Sequence, residues 1–138
     1  MFQLRDLSVQ NVLVAFGLSA VFLILLDAIV LSLLQNFFNK QIMSIQGSAI
    51  AMDPYAAILC YILLVSGLVY FIVLQGRPLL DAFLLGLFVY GVYETTSKSL
   101  LKRWNWTTVM VDSLWGGTLF ALTTGGVYAV LGRRIELY

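Results

Sequence analysis

Four long apolar segments, separated by shorter polar connections, make up most of this chain. They cover residues 11–34, 55–74, 79–97 and 107–131. A helix of roughly 20 mostly apolar residues crosses the hydrocarbon core of a bilayer, and backbone in contact with lipid must satisfy its own hydrogen bonds. The pattern therefore predicts an all-α fold, a four-helix transmembrane bundle forming one integral membrane domain over residues 1–138.

The connection between the first two segments, residues 35–54, is the longest, and it admits two interpretations. It can form a short amphipathic helix on the membrane surface, because four large apolar residues share one helix face: Phe37, Phe38, Ile42 and Ile45. Alternatively, the first helix continues and ends near Gln46 and Gly47.

Composition supports the membrane assignment. Hydrophobic residues make up 61% of the 138 residues and charged residues 11%, against about 25% charged residues in soluble domains. The lipid bilayer is therefore the first expected partner. The first apolar segment is longer than the roughly 7–15 residues of a signal-peptide core, so we interpret it as a retained helix.

Several chemistries find no support in the sequence. The net charge is +1 without a basic patch, so we expect no nucleic acid partner. Histidine is absent, and Cys60 is the one cysteine, which we interpret as a packed or lipid-facing side chain. No nucleotide-binding, metal-binding or nucleophile motif occurs, so we expect no metal, no cofactor and no catalytic residue.

The charged flanks do not fix the orientation. We define side A as the side on which the first segment begins, and side B as the opposite side. The flanks on side A carry Arg5, Arg77, Arg133 and Arg134, and those on side B carry Lys40, Lys98, Lys102 and Arg103. This balance gives no positive-inside bias. An even number of helices places both termini on one side, which we expect to be the cytosol, while the identity of the membrane stays open.

Three acidic residues interrupt the apolar segments at similar depths. At about 1.5 Å rise per residue, Asp27, Glu94 and Asp112 lie roughly 5–11 Å inside side B, and Tyr61 lies in the same layer. Acids within a membrane usually face the bundle interior and often mark functional sites. We therefore predict a polar pocket opening toward side B that holds a cation, a proton or a polar headgroup. The alternative is a set of hydrogen bonds that fixes the bundle.

Two further residues complete the predicted pocket. Lys98 follows Glu94 by four residues, a favourable ion-pair spacing on a helix. Trp115 follows Asp112 by about one turn, so its indole N–H can reach a carboxylate.

The fourth segment has a small residue at every fourth position, and these residues form one stripe: Ser113, Gly117, Ala121, Gly125 and Ala129. Small residues let helices approach closely in a membrane. The stripe can seat the third helix, which carries Gly86, or it can seat another membrane protein or a second copy of this chain.

Three stretches resemble the small membrane proteins grouped as domain of unknown function 2177. The similarity centres on Asp27, on YGVYETT at Tyr90–Thr96 and on VDSLWG at Val111–Gly116. It implies a four-helix membrane protein and marks the same acids, but it implies no activity. The first segment lacks the tryptophan often found in the family, and ETTS stands where relatives often carry Asp-Leu-Thr-Asn.

Three functions are compatible with these features. Small size favours a structural or accessory subunit of a larger membrane assembly, with the glycine-rich helix as its docking face. The alternative is a small channel or transporter that binds a cation, proton or small polar solute at the acidic layer. A lipid-acting enzyme is the weakest hypothesis, because the acids have no other catalytic group beside them.

Overall fold

The computed structural model describes residues 9–48 and 50–132. These residues form helices connected by short turns, with no strand among them. The elements are α1 (Val9–Leu33), α2 (Gln35–Gln46), α3 (Pro54–Leu68), a π-helical turn that continues α3 (Val69–Val73), α4 (Leu79–Leu100) and α5 (Trp106–Val130). The all-α bundle is therefore confirmed. Arg5, Arg133 and Arg134, which entered the orientation argument, lie outside the described residues.

Local sequence explains where the helices begin. The Asp53 carboxylate accepts hydrogen bonds from the backbone N–H groups of Tyr55 and Ala56, and Pro54 occupies the first turn of α3. The Asn105 side chain accepts from the Thr108 N–H at 2.8 Å and caps α5. Such caps satisfy N–H groups that have no partner within the helix.

Contacts between helices give the direction of each one. Trp115 of α5 bonds Asp27 of α1, while Gly126 faces Phe22, so α1 and α5 run in opposite directions. Tyr61 of α3 and Trp115 of α5 bond the same carboxylate, and farther along both helices Tyr128 bonds the carbonyl of Ile72. α3, with the turn that continues it, therefore runs parallel to α5. α4 precedes α5 across a short turn and packs antiparallel to it.

Three of the four predicted spans have both the length and the apolar composition needed to cross a bilayer: Val9–Leu33, Pro54–Val73 and Leu79–Leu100. The fourth, α5, has 25 residues but does not meet the same requirement for apolar composition. Its position explains the difference, because α5 buries eleven residues whereas α1 buries four. A helix that faces mainly protein can carry glycine and threonine where a lipid-facing helix needs leucine or valine.

The contact between α4 and α5 depends on glycine. A Cβ atom on Gly86 would overlap the carbonyl oxygen of Gly116, and one on Gly116 would overlap the Tyr90 ring. A Cβ atom on Gly117 would lie 2.8 Å from the Phe83 ring. The two backbones therefore approach more closely than any side chain larger than hydrogen allows.

The small-residue stripe of α5 faces α4 over much of its length. Ser113 lies nearest Gly91, Gly117 packs on Phe83, and Gly125 lies beside Leu79. Of the two remaining members, Ala121 is half-buried and Ala129 is exposed. Most of the stripe is thus occupied within the chain, and Gly116, which lies outside the stripe, makes the closest approach.

The long connection forms a separate helix. Leu34, with φ −101° and ψ 11°, interrupts the helical geometry between α1 and α2. If α1 and α2 formed one straight helix, Asp27 and Gln41 would lie about 21 Å apart. Their partners on α5, Trp115 and Thr108, lie only about 10 Å apart along that helix. α2 therefore bends away from the axis of α1 toward the beginning of α5.

The amphipathic pattern predicted for α2 is visible in its burial. Phe37, Phe38, Ile42 and Ile45 are all half-buried. The helix ends at Gln46, followed by Gly47 at φ 74°, a backbone conformation that glycine adopts without strain.

Candidate functional site: a buried acidic layer

Asp27 connects three of the helices. Its carboxylate accepts a 2.6 Å hydrogen bond from the Tyr61 hydroxyl of α3 and a 3.0 Å bond from the Trp115 indole N–H of α5. Only 7% of Asp27 is exposed. Both donors are neutral, so Asp27 is held by hydrogen bonds rather than by an ion pair.

Glu94 of α4 is buried more deeply, with 1% of its surface exposed. Its carboxylate accepts a 2.7 Å hydrogen bond from the indole N–H of Trp104. Trp104 is itself buried, and its ring packs edge-on against Tyr93. Trp104 folds inward from the α4–α5 connection and covers Glu94.

Asp112 of α5 lies near both of the other acids, Asp27 and Glu94. Its carboxyl lies close to the Glu94 carboxyl and within electrostatic range of Asp27. Tyr90, half-buried between α4 and α5, is within electrostatic range of both Asp27 and Asp112. The structure thus brings the three acids from three separate helices into one layer.

The predicted ion pair between Lys98 and Glu94 is wrong. The Lys98 ammonium lies 5.8 Å from the centre of the Trp106 ring. Within residues 9–48 and 50–132, the one ion pair links Arg77 to Asp81 on the opposite side. Burial explains the difference, because Glu94 obtains a partner from Trp104 while Lys98, at the end of α4, keeps its charge near water.

A family comparison locates this layer within a wider group of proteins. The model of the family described as Predicted membrane protein (DUF2177) matches residues 12–129. The chain belongs to this family. The comparisons with curated proteins and with solved structures found no match.

The match to DUF2177 spans all four long helices and every residue of the acidic layer. The chain is therefore a predicted membrane protein of unknown function, in agreement with the resemblance found in its sequence. The family description assigns no chemistry to Asp27, Glu94 or Asp112, so the chemistry of the layer has to be inferred from geometry.

In this DUF2177 protein, the three acids do not form a metal-binding cluster. Among the described residues, no group of three or more Asp, Glu or Cys side chains is arranged to hold a metal ion. The close contact is instead between two carboxyl groups, those of Glu94 and Asp112. Two carboxyl oxygens form a hydrogen bond only when one of them carries a proton, because an ionised carboxylate only accepts hydrogen bonds. The arrangement is suited to holding a proton.

Proposed function

We propose that this protein is a proton-binding integral membrane protein of the transporter type, and that Glu94 and Asp112 form its proton-binding pair. The proposal rests on the proximity of these two carboxyl groups within a buried layer, where Glu94 is 1% exposed. Two carboxylates this close repel each other strongly unless they share a proton. Binding and release of that proton would change the charge of a buried site by one unit.

The surroundings of the pair support a proton rather than a larger ligand. Glu94 accepts a hydrogen bond from Trp104 and has a second carboxyl oxygen that can bond Asp112. Asp27 is held by two fixed neutral donors. Asp27 therefore has its own hydrogen-bond donors and stands apart from the Glu94–Asp112 pair.

Access to the pair is easier from side B. Asp112 is half-buried and lies six residues into α5, about 9 Å from the beginning of that helix. Toward side A, the interior is filled by apolar side chains, including Leu23, Leu68, Leu119 and Val127. This arrangement favours a site that exchanges protons with side B over an open pore, and a transporter would then need a conformational change to reach side A.

The accessory-subunit hypothesis, favoured by small size, took the glycine-rich face of α5 as its docking face. That face packs on α4 at Gly117 and Gly125. Without this surface, the hypothesis has less support than proton binding.

Proton release measured with an indicator dye would test the proposal. The purified full-length protein is taken from mildly acidic to mildly alkaline pH, and the protons released per chain are counted. We expect Asp112→Asn and Glu94→Gln each to release about one proton fewer than wild type, because the introduced amide supplies the donor that the shared proton provides.

The matched control is Asp81→Asn, which removes a carboxylate at the opposite end of α4 that pairs with Arg77. This variant should release as many protons as wild type over the same range. Equal proton release by wild type, Asp112→Asn and Glu94→Gln would contradict the proposal. Dye-loaded liposomes then separate a transporter from a binder, since only a transporter moves the proton into the lumen.

A further inference from the structure

A groove on side B lies outside the acidic layer. It has a volume of about 410 Å³ and lies between the end of α2 and the connection that joins α4 to α5. Its walls are formed by Ser44, Ile45, Leu100, Leu101, Lys102 and Arg103.

One buried glutamine holds the two walls of the groove together. Gln41 of α2, 5% exposed, donates to the Arg103 carbonyl at 2.6 Å. Its side-chain oxygen accepts from the Asn105 N–H and from the Thr108 hydroxyl. Because these bonds fix the connection against α2, the groove does not depend on a loosely held loop.

The charged residues of the groove are all cationic. Arg103 donates to the Ser44 carbonyl at 2.8 Å, which anchors the guanidinium while leaving most of its five N–H groups for another acceptor. Lys102 is exposed and makes no ion pair with any residue that the structure describes. The surrounding side-B segments add Lys40 and Lys98, against one exposed acid, Asp53, which caps α3.

Apolar side chains lie next to these cations. Leu100 is 76% exposed, and Leu101 and Ile45 form part of the same walls. Trp106, also exposed, lies at the beginning of α5 and is suited to the membrane interface. The groove therefore combines an anion-binding side with an apolar side at the level where lipid headgroups are found.

We propose that this groove binds the phosphate of an anionic phospholipid, with Lys102 and Arg103 contacting the headgroup and the acyl chains lying along Leu100 and Leu101. Cations at the membrane surface favour anionic lipid by an amount that corresponds to about fivefold in affinity per charge. The site is independent of the proton-binding pair and would survive the failure of that proposal.

Lipid titration of the purified full-length protein tests this site. Phosphatidylglycerol and phosphatidylcholine are added separately in detergent, and bound lipid is counted by native mass spectrometry. We expect the wild type to bind phosphatidylglycerol more tightly than phosphatidylcholine, and Lys102→Gln to lose about fivefold of its affinity for phosphatidylglycerol. Arg77→Gln, which removes an exposed cation on side A, should leave binding unchanged.

Two results would overturn the proposal. The first is equal binding of the two lipids, or unchanged binding by Lys102→Gln. The second is displacement of phosphatidylglycerol by millimolar inorganic phosphate, which would indicate a site for a free anion. Arg103→Gln adds a second test if it folds. Lys102→Gln is decisive alone, because Lys102 is exposed and makes no ion pair among the described residues.

Discussion

Tyr61, Trp104 and Trp115 each donate a hydrogen bond to a buried carboxyl group. At the residue scale, these neutral donors satisfy the carboxyl groups by hydrogen bonds, where a lysine or arginine would pair with an acid near water. A buried acceptor that loses its donor costs about 1–3 kcal/mol, since no water replaces the bond. Each donor should therefore contribute to stability in proportion to the burial of its acid.

Trp104→Phe tests this at the most buried acid. The substitution keeps an aromatic ring but removes the N–H that Glu94 accepts. We expect the free energy of unfolding in detergent to fall by about 1–3 kcal/mol. Trp106→Phe is the matched control, because that ring is 64% exposed and lies beside the Lys98 ammonium rather than a buried carboxyl group. Equal effects of the two variants would show that the indole N–H of Trp104 does not stabilise Glu94.

Tyr61→Phe removes one of the two donors to Asp27. The Trp115 bond remains, so we expect a smaller loss, about 0.5–1.5 kcal/mol. Tyr55→Phe, with the hydroxyl at an exposed position of the same helix, should be neutral. A neutral Tyr61→Phe variant would mean that the hydroxyl finds an equivalent partner in water.

Sequence spacing alone predicted the layer of acids, because the rise per residue of a helix fixes the depth of Asp27, Glu94 and Asp112. It could not predict the partner of Glu94. Lys98 has the right spacing on the same helix, whereas Trp104 lies in a connection whose path depends on contacts with α2. The proximity of Tyr90 to the acidic layer was missed for a similar reason. Its ring packs against Gly116, where the absence of a side chain leaves room for it.

At the element scale, the α4–α5 pair is the most extensively packed part of the molecule, and its geometry is set by glycine. The stripe pattern predicted a close helix contact on α5 but missed Gly116, which falls one position away from it. Residues spaced by four form one row of side chains on a helix. Two helices that cross also contact each other through neighbouring rows, and Gly116 lies in such a row. Apolar runs predicted the long helices well, but the π-helical turn at Val69–Val73 left no comparable signal.

Gly86→Ala should force α4 and α5 apart, because its Cβ atom would overlap the Gly116 backbone, which cannot rotate away. We expect a loss of about 1–3 kcal/mol in the free energy of unfolding. Gly17→Ala gives the opposite expectation: no atom lies within 4 Å of its Cβ position, so alanine should be neutral or stabilising by up to about 1 kcal/mol. Similar destabilisation by both would argue against the glycine contact.

Gln41→Ala removes the bonds that join α2 to the α4–α5 connection. We expect faster amide hydrogen exchange over residues 35–46 and 101–105, with little change in the four long helices. Gln35→Ala, at an exposed position of the same helix, serves as the control. Unchanged exchange in α2 would show that its apolar face alone holds it in place.

At the scale of the whole molecule, the bundle places the glycine- and threonine-rich α5 inside and its apolar surfaces outside. Exposed large apolar side chains cover the outer faces of α1 and α3, including Leu13, Leu25, Ile29, Ile58 and Leu63. A bilayer solvates such surfaces, and the family match supports that environment. Three buried acids are acceptable in this interior because neutral donors hydrogen-bond Asp27 and Glu94 and, on our proposal, Glu94 and Asp112 share a proton, which leaves little uncompensated charge.

Infrared spectroscopy of the purified protein near neutral pH tests the shared proton most directly. The account predicts a carbonyl band of a protonated carboxyl group that shifts in D₂O, is lost in Asp112→Asn and in Glu94→Gln, and persists in Asp81→Asn. Absence of the band from the wild type, or its persistence in both variants of the pair, would contradict the account.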